Sequence, residues 1–207
     1  MRTANGGMNG AMTLADNLDD ITADLWVRLA DAAASGKSAW HTPAVGTADG
    51  DLRVMVLRQT DPAAASLRFH TDARSPKAAL IGGGGPVSLL FYDAAAKLQL
   101  RCTGIGQVSS TGAAADAAWA ASAPSSRRGY LATLAPGTTS KTPTSGLPAA
   151  VEGRVPTLAE SEAGRANFAV ITVELTRLDW LHLAHDGHRR ALLERDGDGW
   201  AGRWVVP

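Results

Sequence analysis

Short segments of alternating apolar and polar residues, separated by tight turns, recur along this 207-residue chain. Between residues 41 and 109 the turn signals are Asp49-Gly50, Asp61-Pro62 and the four glycines at 82–85. Alternation with a period of two is typical of strands with one buried face, and Gly, Pro and Asp end such strands. Several short strands joined by tight turns predict a mainly β protein, built as a barrel or a sandwich.

The predicted strands form two groups, with helical and loop segments before and between them. They are 41–48, 51–59, 66–71, 86–93, 97–109, 168–175, 178–183, 189–195 and 200–206. From Thr13 to about Gly36 apolar residues recur at three- and four-residue steps, which predicts an amphipathic helix packed on the core. Residues 112–132 are alanine-rich and also favour helix.

Two further segments are predicted to lack regular structure. Residues 1–12 contain little to bury and are expected to be disordered, which leaves 13–207 as a single domain. Residues 134–157 are dense in turn formers and predict a long mobile loop beside a site or a subunit boundary.

Charge and cysteine content limit the class of protein. Twenty basic and twenty acidic residues give a net charge of zero, so no overall field directs the chain to nucleic acid or an anionic membrane. The single cysteine, Cys102, excludes an internal disulfide and lies on the apolar face of a strand. The sequence shows neither a secretory signal nor a membrane-spanning stretch, which predicts a soluble cytoplasmic protein.

Residues 53–77 carry the clearest functional signal. Arg53-Val-Met-Val-Leu-Arg58 reads as a strand with a cation at each end, and residues 67–77 read as a strand running into a turn that could open a helix. The segment combines cations with hydroxyl donors, namely Arg53, Arg58, Arg74, Lys77, Thr71 and Ser75. Positive charge, hydroxyls and the free N–H groups of a helix start together predict a phosphate-binding site.

Three other motifs are not assigned to catalysis or metal binding. The glycines at 82–85 lack the Lys-Ser/Thr of a nucleotide-binding loop and precede a strand, so they are predicted to be a connector. Gly104-Ile-Gly106 is predicted to form a strand bulge. His182, His185 and His188 straddle a turn and are not expected to converge on a metal ion.

The 53–77 segment resembles the pyridoxamine 5′-phosphate oxidase-like family of FMN-binding split barrels. That family has an R-x-V-L-L-K strand followed by a (Y/F)-T-x-x-x-S-R-K turn, and the resemblance continues through 87–92 and 99–104 and returns at Trp180 and Arg190. It implies a mainly β, antiparallel Greek-key split β-barrel with flanking helices, one at the N-terminus and others after the fifth strand.

The resemblance also implies FMN as the cofactor, bound at the interface of a homodimer. The implied phosphate ligands are Arg53, Arg74, Ser75 and Lys77. The residues implied along the flavin ring and its edges are Val54, Met55, Val56, Leu57, Arg58, His70 and Thr71. The later contacts, several of them from the second subunit, would be Gln99, Trp180 and Arg190.

Departures from the family pattern affect the substrate more than the cofactor. Pro76 stands where the family has a phosphate-binding arginine, which Arg74 is expected to replace, and Ala123 stands where an arginine binds the substrate phosphate. The remaining substrate candidates are Arg58, Trp119, Arg127 and Arg128. We therefore expect weak or absent oxidation of pyridoxamine 5′-phosphate, and no residue is assigned as catalytic.

Two classes of function follow from this pattern. One is an FMN-dependent oxidoreductase that moves a hydride between the flavin and a small substrate. The alternative is a non-catalytic split-barrel protein that binds FMN or haem for storage or sensing.

Overall fold

The computed structural model describes residues 17–207, so the segment 1–12 predicted to be disordered lies outside the described residues. The nine strands of this part of the chain are β1 Ala44–Thr47, β2 Leu52–Val54, β3 Leu57–Asp61, β4 Ser66–Asp72, β5 Gly85–Asp93, β6 Leu98–Ser109, β7 Phe168–His182, β8 Arg189–Asp196 and β9 Gly199–Val205. Its α-helices are α1 Leu18–Ala34, α2 Pro76–Ile81, α3 Ala113–Ala121, α4 Pro124–Arg127 and α5 Leu158–Ser161. Two 3-10 turns, Arg128–Leu131 and Glu162–Asn167, follow α4 and α5.

All nine strands belong to one antiparallel sheet, which confirms the predicted fold class. The strand order is β2-β1-β5-β6-β7-β4-β3, with β8 and β9 added beside one end of β7. The two outer strands of this path, β2 and β3, are joined by just Met55 and Val56. Two linking residues span at most about 11 Å between Cα atoms, so the sheet must curl until its edges meet there. The result is a split barrel.

The core lies inside this curled sheet and is closed by α1. Helix α1 begins at an Asn17 cap, whose side chain accepts from the Asp19 N–H at 2.7 Å, and it buries Ile21, Leu25 and Leu29. A second, smaller cluster lies on the other face of β7. It contains Ala115, Trp119, Phe168 and Val170, and it fixes α3 against the outside of the barrel.

The structure refines two predicted strands. The segment predicted as one strand at 51–59 is broken at Met55–Val56, where the chain passes from one sheet edge to the other. The segments predicted as separate strands at 168–175 and 178–183 form the single long strand β7.

A bulge bends β6 against β7, as the Gly104-Ile-Gly106 pattern predicts. The register changes from Thr103 paired with Arg177 to Gly104 paired with Leu175, which leaves Thr176 as the extra residue. A Cβ atom on Gly104 would lie 2.2 Å from the Glu174 carbonyl oxygen, so the two backbones approach closely because this residue is glycine.

Residues 132–157 contain neither helix nor strand. The segment is nevertheless attached to the barrel, because Val151 is buried and the Thr133 N–H donates to the Gly146 carbonyl at 2.9 Å. Its mobility stays a prediction. Within residues 17–207, no helix is both long and apolar enough to cross a membrane.

Candidate functional site

Arg53 and Lys77 form a pair of neighbouring cations. Arg53, on β2, donates from Nη2 to Asp51 at 2.5 Å and from Nη1 to Thr47 Oγ1 at 2.9 Å. Lys77, in the first turn of α2, is half-buried and forms no hydrogen bond or ion pair with any residue in 17–207. Burial lowers the pKa of Lys77, and Arg53 lowers it further, against the opposing effect of Asp72 and Asp51. A bound anion would relieve this repulsion.

Two buried hydroxyls stand beside these cations. The Oγ atoms of Thr71 and Ser75 lie 3.3 Å apart, and both residues are almost fully covered. Thr71 ends β4 and Ser75 precedes α2, so the turn between them sets this spacing. The structure therefore brings together four of the predicted phosphate-binding residues: Arg53, Thr71, Ser75 and Lys77.

Arg74, another predicted phosphate ligand, is held by partners within the chain. Its Nε and Nη2 donate to the two carboxylate oxygens of Asp72 at 3.0 and 2.7 Å, and Nη2 also donates to the Ala132 carbonyl at 3.0 Å. The hydrogen bond to Asp72 raises the pKa of the Arg74 guanidinium. In this structure the donors of Arg74 are used by Asp72 and by the start of the long loop, and its contact with a phosphate stays a prediction. Arg74 fastens the loop to the barrel.

The junction between β2 and β3 offers an unpaired backbone edge. The N–H groups of Met55 and Leu57 donate to Pro43 and His41 at 3.1 and 2.9 Å. Successive groups on an extended chain point to opposite sides, so the N–H and C=O of Val56 face the gap between the sheet edges. Val56 lies between the two strands, and none of the backbone hydrogen bonds made by turns and loops of the described residues uses its N–H or C=O.

Side chains at this junction alternate in the same way. Val54 is 67% exposed and Val56 is partly exposed, whereas Met55 and Leu57 are buried in the core. The residues of this junction that were predicted to contact the flavin ring therefore fall into two groups. Val54 and Val56 can present side chains to a ligand, while Leu57 can present just its backbone.

A cleft of about 390 Å³ opens between the outer face of β3–β4 and the α3–α4 segment. The strand side contributes polar residues and the other side contributes small ones. The lining residues are Arg58, Gln59, Arg68, His70, Ala33, Ala118, Ala121, Ser122, Ala123 and Ser126.

The cleft is positively charged but holds a neutral histidine. The His70 ring packs edge-on against Phe168 at a centroid distance of 4.8 Å. Burial, followed by the charges of Arg58 and Arg68, lowers the pKa of His70 to about 4. Nearby, burial raises the pKa of Tyr130 to about 12. The charge of Arg58 lowers this pKa and the charge of Asp72 raises it. At neutral pH both rings are uncharged and can exchange hydrogen bonds with a ligand.

Three of the four predicted substrate residues do not line this cleft. Arg127 is 3% exposed, stacks 4.5 Å above the Trp119 ring and donates from Nη1 to Glu162 at 2.5 Å. Trp119 is buried and donates from Nε1 to the same carboxylate at 3.0 Å. Arg128 donates to the Arg154 carbonyl at 2.9 Å. Arg127 and Trp119 link α3 and α4 to the 3-10 turn after α5 through Glu162, and Arg128 is attached to the long loop. Arg58 remains as the predicted substrate residue in the cleft.

The late family positions lie on another part of the sheet. Gln99, Leu181 and Arg190 stand in one row across β6, β7 and β8, and β5 and β1 separate that row from β2. Arg190 donates to both oxygens of Asp179 at 2.9 and 2.8 Å. Trp180 is 2% exposed and packs against Trp204 inside the sheet, so its ring offers no surface to a ligand in this structure.

Several residues of the cleft escaped sequence reasoning. Arg68 precedes His70 by two positions on one strand, so alternation alone could have placed both side chains on the same face. Ser122 lies in the break between α3 and α4 and Ser126 lies within α4, and no local pattern marks them as cleft residues. Tyr130 approaches Arg58 and Asp72 through tertiary packing.

Comparison with solved structures confirms the predicted fold. No protein-family profile and no curated protein sequence matches the chain. A pyridoxamine 5′-phosphate oxidase-related, FMN-binding protein from Nostoc punctiforme is similar with a TM-score of 0.65 and 21% identity, over 95% of this chain and 100% of that one. PhzG from Burkholderia lata, solved with tetrahydrophenazine-1-carboxylic acid, gives a TM-score of 0.58 and 18% identity over 91% and 92%. A general stress family protein from Xanthomonas campestris gives 0.50 and 14% over 83% and 92%. The chain thus has the split-barrel fold of the pyridoxamine 5′-phosphate oxidase-related proteins.

Proposed function

We propose that this protein binds FMN at the gap between β2 and β3 and uses it as an oxidoreductase on a small substrate. The observation that carries the proposal is that the break between β2 and β3 at Met55–Val56 accompanies two neighbouring cations, Arg53 and Lys77, and the buried hydroxyls of Thr71 and Ser75. A flavin mononucleotide needs both features, because its ring carries donors and acceptors along one edge and its phosphate is anionic. FMN, when bound, would supply the hydride-transfer chemistry.

The residues of this chain have separate parts in that function. Lys77 and Arg53 would neutralise the phosphate, while Thr71 and Ser75 would donate to its oxygens. The Val56 backbone would pair with the ring edge. Arg58 would place a positive charge beside the reacting groups, and the neutral His70 would offer a hydrogen-bonding nitrogen there.

The proposal extends to a homodimer with FMN in its interface. The outer face of β2, β5 and β6 exposes a set of large apolar side chains, namely Leu52, Val54, Leu90, Tyr92 and Ile105. Pairing two such faces would bury this patch and could bring Gln99 and Arg190 of one subunit toward the FMN of the other. A cytoplasmic location is consistent with Cys102, which is a buried free thiol.

Two structural relatives support the proposal without establishing it. The Nostoc protein binds FMN, and PhzG was solved with a small carboxylic acid. Both have this fold, one as an FMN-binding protein and the other in complex with a small molecule.

The test is an equilibrium titration of ligand-free protein with FMN and with riboflavin, which lacks the phosphate. We expect FMN to bind more tightly than riboflavin, and Arg53→Ala or Lys77→Ala to weaken FMN binding by about 1.5–3 kcal/mol. Riboflavin binding should change little in either variant. Lys141→Ala removes a charge from an exposed loop and should bind FMN like the parent. Equal binding of FMN and riboflavin by the parent would contradict the assignment of the phosphate site.

A non-catalytic binder is the second candidate. It is favoured by the engagement of Arg127 with Glu162 and by Ala123, since together they leave α3–α4 without a free arginine for a substrate. The absorption spectrum of the purified protein separates the main cases. Flavin bands together with substrate-dependent bleaching without air support the oxidoreductase. Flavin bands that no reductant substrate bleaches support an FMN binder, and a Soret band supports a haem binder.

A further inference from the structure

We infer that the outer face of β6, β7 and β8 carries a second anion site, which binds the dianionic phosphoryl group of free phosphate or of a phosphorylated small molecule. The site is a cavity of about 210 Å³. Its lining combines three arginines with one hydroxyl and one carboxylate: Arg101, Arg177, Arg190, Thr103 and Asp179. This inference goes beyond the proposed flavin function, because none of the residues proposed to hold the phosphate of FMN lines this cavity.

Strand register brings the five residues together. Arg101 and Thr103 are two positions apart on β6, and Arg177 and Asp179 are two positions apart on β7, so each pair lies on one face of its strand. In the ladder between these strands, Arg101 is paired with Asp179 and Thr103 with Arg177. Arg190 joins them from β8, on the other side of β7. The donors are therefore held by a continuous sheet.

Arg177 is the clearest free donor of the cavity. Its guanidinium forms no hydrogen bond or ion pair with any residue in 17–207. Its Nε atom is buried, so the donors that a ligand can reach are Nη1 and Nη2, which keep accessible surface. Glu194 is its neighbour on β8, but that carboxylate accepts from Arg203 at 2.9 and 3.1 Å. An anion in the cavity would give Arg177 the partner that the chain does not supply.

The one carboxylate of the cavity leaves the cluster positively charged. Asp179 accepts from Nε and Nη2 of Arg190 at 2.9 and 2.8 Å and also from Nη2 of Arg101. Burial raises the pKa of Asp179, but the hydrogen bonds from Arg190 and the charges of the three arginines lower it further than burial raises it. Asp179 is thus ionised at neutral pH. Three arginines and one carboxylate leave an excess of two positive charges, which a dianion would balance and a monoanion would not.

The size and position of the cavity separate it from the proposed flavin site. Its volume of about 210 Å³ is below the roughly 300–1,000 Å³ of drug-sized ligand sites, so it suits a small group such as a phosphoryl. Arg177 lies four residues along β7 from Leu181, about 13 Å away, and Leu181 stands in the row of the implied late flavin contacts. Arg190 alone is shared with those contacts, and Asp179 already holds its Nε and Nη2. On the other side, β5 and β1 separate β6 from β2.

The experiment is calorimetric titration of the full chain with inorganic phosphate, with and without saturating FMN. We expect the FMN-saturated protein to bind one phosphate per chain, and to bind acetate, a monoanion, at least about tenfold more weakly. Arg177→Gln should weaken phosphate binding by about tenfold or more. Arg177→Lys, which keeps the charge but loses the planar fork, should lose less.

Glycerol 3-phosphate distinguishes the two sources of the phosphoryl group. Tighter binding of glycerol 3-phosphate than of inorganic phosphate, lost in Arg177→Gln, supports a phosphorylated small molecule as the ligand. The reverse order, also lost in Arg177→Gln, supports the free ion.

Controls separate binding at this cavity from folding and from general charge effects. Lys141→Gln removes one exposed positive charge from the long loop and should bind phosphate like the parent. Lys77→Ala should weaken FMN binding and keep the phosphate binding that depends on Arg177. Because the guanidinium of Arg177 has no partner within residues 17–207, Arg177→Gln should unfold at the temperature of the parent, as measured by circular dichroism.

The outcomes distinguish this inference from the proposed function. If FMN binds but phosphate does not, or if Arg177→Gln binds phosphate like the parent, the inference is overturned and the flavin assignment stands. If FMN displaces phosphate one for one, or if Lys77→Ala abolishes phosphate binding, the phosphate lies in the proposed cofactor site and the inference is also overturned. If FMN fails to bind while phosphate binding depends on Arg177, the second anion site stands and the proposed flavin function fails.

Discussion

Individual charged residues of this barrel differ most in whether they already have hydrogen-bond or ion-pair partners within the chain. Arg74 and Arg127 are bound to acidic side chains and backbone carbonyls, whereas Lys77 and Arg58 have no such partners within residues 17–207. A cation that is already paired contributes to stability, since breaking its contacts leaves an unpaired charge behind. An unpaired cation that is partly covered is available for a ligand. Arg53 is intermediate, because it is paired with Asp51 but lies beside the unpaired Lys77.

His70 gives a prediction at the same scale. The pKa of His70 is lowered to about 4 in the folded protein, below the ordinary value of 6.5. Between these two pH values His70 is therefore neutral in the folded protein, whereas the unfolded chain binds a proton there. Folding stability should therefore fall as the pH drops from 6.5 toward 4. After allowance for partial exposure, we expect His70→Gln to reduce the loss of stability between pH 7 and pH 5 by about 1–2 kcal/mol.

Urea unfolding at the two pH values measures this difference. His185→Gln removes an exposed histidine from the β7–β8 turn and should keep the pH dependence of the parent. An unchanged pH dependence in His70→Gln would show that His70 does not titrate below its ordinary range.

At the scale of elements, the β6–β7 pair depends on one close backbone approach. Gly104 faces the bulge at Thr176, and a Cβ atom there would lie 2.2 Å from the Glu174 carbonyl oxygen. We expect Gly104→Ala to lower the free energy of unfolding by about 1–3 kcal/mol, because the strands must separate or the bulge must shift. Thermal and urea unfolding measure the loss.

Gly83→Ala is the matched control for that substitution. Gly83 lies in the connector before β5, where an added Cβ atom would meet nothing within 4 Å. Its stability should stay within about 0.5 kcal/mol of the parent. If the two alanine variants were equally stable, the bulge would tolerate a side chain and the close approach would not be a constraint.

At the scale of the whole molecule, the curled sheet leaves an exposed apolar face that a second copy would cover. Leu90 is 40% exposed in the middle of this face, between Ala44 and Arg101 of the neighbouring strands. We expect sedimentation to give twice the mass of the chain, and Leu90→Asp to shift the protein toward the monomer, since a charge in a packed apolar interface is costly.

A control on another surface keeps this test specific. Val27 is 68% exposed on α1, outside the β2–β5–β6 face, so Val27→Asp should leave the dimer intact. A parent protein that sediments as a monomer while binding FMN tightly would contradict the shared interface.

Much of the fold could be predicted from the sequence, because strand periodicity and turn chemistry are local. The alternation in 86–93 and 97–109 closely matches β5 and β6, and the two glycines at 104 and 106 mark the bulge correctly. The 51–59 segment shows the limit of this reasoning. Its apolar run at 54–57 contains no turn signal, and the break at Met55–Val56 arises because the chain must pass there between two edges of a closing sheet.

The sequence determined which residues compose the candidate site. The tertiary structure determined which of them are available to a ligand. The order of residues in 71–77 placed Thr71, Ser75 and Lys77 in one strand-and-turn unit, since near neighbours on such a unit must lie close together. Arg53 on β2 comes near Lys77 because the sheet curls. Whether a guanidinium is free depends on distant segments. Arg127 meets Glu162, 35 positions along the chain, and Arg74 meets the Ala132 carbonyl, 58 positions away. Side-chain pairing across such separations is fixed by packing, so the folded chain alone decides which of its cations are left for a ligand.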